Sequence, residues 1–166
     1  MRISLLCIAC LLFAPAFASA QNAVLTSKDL KLFEGRKWIG TLTYVDYRSN
    51  KKTSIKSNLA VKRDKKKKDT WVFAYEYPDE PKANQASDAV LSDGGKKFFG
   101  ETVVERSRMA DKSLKIVTTQ TGSDNDRKAM FRYTYLVSSK SLSIKKEVQI
   151  DGKTEWFERS AYRWQR

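Results

Sequence analysis

The chain has 166 residues, a formal net charge of +13, no histidine and two cysteines, Cys7 and Cys10. Without histidine, and with both cysteines in the first ten residues, zinc and most transition-metal sites lose their usual ligands, and Ser-His and Cys-His catalytic pairs are excluded. The length is that of one ordinary domain, and the basic surplus points either to an anionic partner surface or to solubility alone.

The N-terminus reads as an export signal. Arg2 supplies the charge, Leu5 to Phe13 is an apolar run interrupted by Cys7 and Cys10, and Ala18-Ser19-Ala20 is a small-residue cleavage site. Residues 1–20 are expected to leave as a signal peptide and to take both cysteines with them. The mature chain is then expected to be exported, periplasmic or secreted, without a disulfide. The apolar run is shorter than the roughly 20 residues a membrane span needs, so no transmembrane segment is expected in the mature chain. Lipidation of Cys10 is the alternative reading of this stretch. Residues 21–36 follow as a lead-in, where Thr26-Ser27-Lys28-Asp29 offers a cap for a short helical turn through Leu30, Leu32 and Phe33.

Residues 37–166 read as one β domain. Strand-like runs are predicted at 37–48, 53–63, 69–77, 87–92, 96–106, 112–119, 128–137, 141–150 and 154–164. The second puts Ile55, Ser57, Leu59 and Val61 on one face, with Lys56, Asn58 and Lys62 on the other. The third gathers Trp71, Phe73, Tyr75 and Tyr77, and the seventh Phe131, Tyr133 and Tyr135. Turns are expected at Ser49-Asn50, Asp93-Gly94-Gly95, Gly122-Ser123-Asp124-Asn125 and Asp151-Gly152. No helix-length segment separates the runs, which argues against parallel βαβ units. The fold class is therefore all-β, an antiparallel up-and-down meander. Curling it into a closed or nearly closed barrel removes its exposed edges. A two-sheet sandwich is the alternative, and the only sizeable connection it could use is near Asp79–Ser87.

Phe33-Glu34-Gly35-Arg36-Lys37-Trp38 opens the first strand, a continuous meander follows, and the last strand ends in Ala161-Tyr162-Arg163-Trp164. In these features the chain resembles the lipocalin-like (calycin) barrels, where a short helical turn and a Gly-x-Trp motif open the first strand and a basic residue of the last strand packs over that Trp. The resemblance implies that Trp38 and Arg163 close one barrel end. It also implies that the barrel holds small apolar molecules.

The hairpin at Asp151-Gly152 sets the register of the last two strands. A three-residue turn, Asp151-Gly152-Lys153 with Gly152 left-handed, gives the more consistent apolar face. It puts Trp156 opposite Val148, Ser160 opposite Ile144, Tyr162 opposite Leu142 and Lys146 opposite Glu158. An inward Lys146–Glu158 pair could anchor the polar end of a ligand, since inward charges are costly unless paired. Tyr75, Tyr133, Tyr135 and Trp156 are the candidate aromatic lining, which sequence does not separate from simple core.

Lys65, Lys66, Lys67 and Lys68 form a hairpin tip between two strands and are expected to be mobile, exposed and attractive to an anionic membrane or polysaccharide surface. The export signal argues against nucleic acid as the partner. Glu101 and Glu105 share one predicted strand face, but no carboxylate pair is singled out by spacing. No G-x-S-x-G, phosphate-cradling loop or dinucleotide fingerprint occurs. No catalytic residue, metal or cofactor is expected, and nothing favours haem. The reading is an exported, non-catalytic binder of a small apolar or amphiphilic ligand. The alternatives are a basic surface-binding or protein-interaction module with a filled barrel, and a carboxylate-based hydrolase.

Overall fold

The computed structural model describes residues 23–35 and 37–166. The expected signal peptide, with Cys7 and Cys10, lies outside them. One α-helical turn and ten strands follow in order, with two 3-10 turns at Pro81–Ala83 and Asp93–Gly95: α1 Ser27–Leu30, β1 Trp38–Val45, β2 Lys52–Arg63, β3 Thr70–Glu76, β4 Gln85–Ser92, β5 Lys97–Phe98, β6 Glu101–Arg108, β7 Leu114–Asp124, β8 Arg127–Val137, β9 Ser141–Ile150 and β10 Phe157–Gln165. Each strand pairs antiparallel with its chain neighbours, and β1 also pairs with β10, so the sheet closes into a barrel. The up-and-down meander is thus the observed fold, and the sandwich is not.

Two local departures have clear causes. The run 96–106 is two strands, because Phe99 and Gly100 both take positive φ (55° and 79°) and reverse the chain in two residues. The turn expected at Gly122–Asn125 falls instead at Asn125-Asp126, both left-handed. Gly122 stays in β7 because the Phe131 ring takes the place of its side chain: a Cβ there would lie 2.5 Å from Phe131 Cε2.

The N-terminal segment stoppers one barrel end. The Asp29 carboxylate accepts hydrogen bonds from the Thr26 N–H and hydroxyl, both at 2.9 Å, which caps α1. It also takes the Arg106 guanidinium in a bidentate pair, at 2.6 and 3.0 Å, which ties α1 to β6. Burial alone would raise the Asp29 carboxyl; the bonds from Arg106 and Thr26 outweigh it and hold the group below its ordinary value. Leu25, Leu30 and Phe33 drop into the core with Trp38, Trp71, Phe73, Phe98 and Leu114, all buried. Burying a side chain such as Phe33 contributes on the order of 2 kcal/mol. The inward faces predicted for the second and third runs hold: Ser57, Leu59, Val61, Trp71, Phe73 and Tyr77 are buried.

The basic residue over Trp38 is Arg166, not Arg163. Its guanidinium carbon lies 3.8 Å from the Trp38 ring centroid, and Nη2 donates to the carbonyls of Leu32 and Glu34. Arg163 pairs with Thr41 and is exposed. Strand alternation explains this: Trp164 faces the core, so Arg163 must face out, whereas Arg166 lies just past the strand end and can fold back.

Candidate functional site

The barrel interior has two unlike halves. The stoppered half is packed with rings, Phe33 against Phe73 at 5.8 Å and Phe98 against Tyr135 at 5.4 Å. Beyond them a cavity of about 440 Å³ opens between β3, β4, β6, β8, β9 and β10. Its wall includes Tyr75, Tyr133, Tyr135 and Tyr162, together with Glu101 and Lys146.

Strand alternation places these groups. Tyr133 and Tyr135 are alternate residues of β8, and Ile144 and Lys146 of β9, so each pair faces inward. Tyr133 and Lys146 are direct cross-strand partners. Tyr75 sits on β3, five strands from β8 around a ring of ten, and therefore faces Tyr133 across the barrel.

Glu101 is the buried acid of the site, 6% exposed. Its Oε2 accepts from the Thr118 hydroxyl and, at 3.1 Å, from the Tyr135 hydroxyl. Burial pushes its carboxyl up from 4.5 to about 7, against the lowering effect of those two bonds and of the Lys146 charge. Burial likewise raises the Tyr133 hydroxyl, to about 12, and pushes the Lys146 ammonium down. The Lys146 Nζ lies over the Phe131 ring at 4.0 Å and near Tyr133 at 5.8 Å, a cation–π seat inside the barrel.

A second cluster bridges part of the rim. Arg159 pairs with the buried Asp124, and Tyr47 donates to the same carboxylate at 2.7 Å. The Arg159 guanidinium also stacks on Tyr47 at 4.3 Å and approaches Phe157 at 4.9 Å. Three separate chain segments meet there: the β1–β2 turn, the end of β7 and the start of β10.

Four of the six predicted lining residues converge on the cavity: Tyr75, Tyr133, Tyr135 and Lys146. Glu158 and Trp156 do not. Lys146 faces Ser160, and Glu158 faces Glu147. The expected three-residue hairpin is a six-residue connection, 151–156, though Gly152 is left-handed as expected, with φ 76°. Trp156 therefore lies before β10, off the barrel wall, with the Arg132 guanidinium over its ring at 4.2 Å. A bulge between Glu158 and Ser160 then shifts the register and turns Arg159 toward Asp124.

The shared face expected for Glu101 and Glu105 is broken by a second bulge, between Val103 and Glu105. Glu105 points away to Lys115, at 2.9 Å. The sequence carried no sign of either bulge, so Glu101 was not recognisable as the buried acid, nor Arg159 as a rim residue. Tyr162 was legible as inward and is so.

Lys65, Lys66, Lys67 and Lys68 are all exposed at the stoppered end, beside an outer groove of about 870 Å³. The turn is held by Asp64, which accepts from the N–H groups of Lys66 and Lys67, and Lys67 reaches Asp88 at 2.6 Å. Among the described residues, no three His, Cys, Asp or Glu side chains gather as a metal site requires, and no helix is long and apolar enough to cross a membrane.

No family model matches the chain, and no curated protein matches it. Among solved structures it is similar to a protein of unknown function from the DUF3598 family of Nostoc punctiforme. The identity is 12% and the TM-score 0.46, and the likeness covers 86% of this chain and 49% of the other. The chain thus spans about half the length of that neighbour.

Proposed function

We propose that this protein is a non-catalytic carrier that holds a small amphiphilic molecule in the open half of its barrel. The observation that carries the reading is the contrast between the two halves: one is filled with rings, and the other keeps about 440 Å³ lined by tyrosines, Glu101 and Lys146. A barrel built only for stability would close over that space, since an unfilled core volume costs stability. The size falls in the range of small-ligand sites, where apolar walls and a few polar groups are combined. The lining is more polar than the lipocalin-like resemblance implies, which favours an amphiphile over a wholly apolar ligand. The apolar run and cleavage pattern of residues 1–20 support export as the setting.

The test is extraction of the purified protein with organic solvent, mass spectrometry of the extract, and titration with a fluorescent fatty acid. A co-purified amphiphile or saturable one-site probe binding is expected. An empty extract together with no probe binding would overturn the carrier reading.

A second role has its own observation. The four exposed lysines at the stoppered end form a positive tip remote from the cavity. They suit adsorption to an anionic membrane, with the cavity rim turned away from it.

A further inference from the structure

We infer that the cavity takes a ligand with an anionic oxygen head group, such as a carboxylate, seated between the Lys146 ammonium and the Tyr133 hydroxyl, with Tyr75 facing it from the opposite wall. The inference rests on the carrier reading and names the ligand class.

The hydrogen-bond inventory of the wall is lopsided toward donors. The half-buried Lys146 ammonium has no carboxylate within 4.0 Å among the described residues and rests on aromatic faces instead. The Tyr133 and Tyr75 hydroxyls line the same space and donate to no acceptor among the described residues. The other two tyrosines of the wall have partners: Tyr135 donates to Glu101, and Tyr162 shares a hydrogen bond of 2.8 Å with Tyr77. Three donors are thus left facing one cavity. None of the three is a fully buried unsatisfied group, so in the empty cavity each is open to water, and a ligand acceptor takes the place of that water away from bulk solvent.

Charge points the same way. Arg159 and Asp124 pair at the rim. Lys146 feels the Asp124 carboxylate, offset in part by Arg159, and more weakly Glu101, whose burial raises its carboxyl to about 7; neither carboxylate comes within ion-pair distance of the ammonium. An oxygen anion meets both the spare donors and the spare positive charge. A cationic head group meets neither, and a neutral alcohol meets only the donors. The Tyr133–Lys146 pairing across β8 and β9 fixes two of the donors side by side, so that one head group can reach both.

The experiment is calorimetric titration of the purified protein with decanoate, decanol and decyltrimethylammonium, each below its micellar concentration. Decanoate is expected to bind at least about tenfold more tightly than decanol, with the cation weakest. Lys146→Met keeps an unbranched, largely apolar stem but removes the ammonium, and is expected to bring decanoate to the level of decanol. Tyr133→Phe, which retains the ring, is expected to lessen the decanoate preference several-fold. Circular dichroism checks that both variants fold, and Tyr133→Phe alone decides if Lys146→Met does not. Decanol or the cation binding as tightly as decanoate overturns the inference but leaves the carrier reading standing. So does an unchanged preference in both variants. Failure of all three probes to bind overturns the inference, and together with an empty solvent extract it overturns the carrier reading as well.

Discussion

Glu101 is almost fully buried, accepts two hydrogen bonds and shares the cavity wall with Lys146. Its carboxyl, raised from 4.5 to about 7, binds more protons in the folded chain than in the unfolded one between those values. Its favourable contribution is therefore complete below about pH 4.5 and declines as pH rises to about 7. At about 1.4 kcal/mol per unit, the decline is on the order of 3 kcal/mol. Glu101→Gln abolishes the titration while still offering an oxygen to Thr118 and Tyr135. Urea denaturation should show the variant more stable than the parent at pH 8, by on the order of 2 kcal/mol, and little different at pH 4. Equal differences at the two pH values would contradict this account of Glu101. Tyr75, Tyr133 and Tyr135 were legible in the sequence because alternate positions of a strand share a face, and aromatic residues filled those positions. Glu101 was not, because its separation from Glu105 depends on a bulge that leaves no mark in the hydrophobic pattern.

The same limit operates on β9 and β10. Alternation distinguishes a one-residue slip, which exchanges faces, but is blind to a two-residue slip, which does not. The expected pairing put Tyr162 opposite Leu142; the observed pairing puts it opposite Ile144, two residues away, with every inward residue from Ser160 onward still inward. The cost of that blindness was the partner of Lys146. The α1 turn, by contrast, was legible from its cap, because Thr26 and Asp29 act locally; its place as a stopper of the barrel end was not. Asp29→Ala should remove the cap and strand Arg106 without its partner. A loss of about 2 kcal/mol is expected in thermal or urea unfolding, and a change below about 0.5 kcal/mol would mean that α1 does not hold the barrel end. Because the Asp29 carboxyl is held below its ordinary value, its contribution is present above about pH 4 and fades as pH falls through its lowered value. Gly40 tests the seam between β1 and β10. A Cβ there would lie 1.9 Å from the Arg163 carbonyl oxygen, so Gly40→Ala must spread the two strands. A loss of at least about 2 kcal/mol is expected, with faster hydrogen exchange along β1; an unchanged melting temperature would contradict the closeness of that seam.

At the scale of the whole molecule, closure of the meander follows from its strand count and its need to hide edges, and the sequence carried that much. Whether the barrel was filled or hollow was not legible, because a packed core and a ligand cavity both call for inward aromatic residues. The folded molecule separates them by position: rings crowd the end under α1 and leave space at the other. Its lysine tip lies at the filled end, so the proposed adsorption and the proposed ligand exchange fall to opposite poles. Replacing Lys65, Lys66, Lys67 and Lys68 with serine should weaken binding to anionic vesicles at low salt, with the difference vanishing as salt is raised. Ligand binding in solution should be unaffected, and unchanged vesicle binding would leave the loop a role in solubility alone. The central claim is that the hollow half receives the ligand. It is tested most directly by NMR titration of isotope-labelled protein with decanoate, following the Ile144 methyl groups and the backbone amides of Tyr133, Lys146 and Ser160. Saturable shifts concentrated at these positions, with the ring-packed residues around Phe33 and Phe73 little changed, are predicted. Shifts confined to the barrel exterior, or none at saturating decanoate, would contradict it.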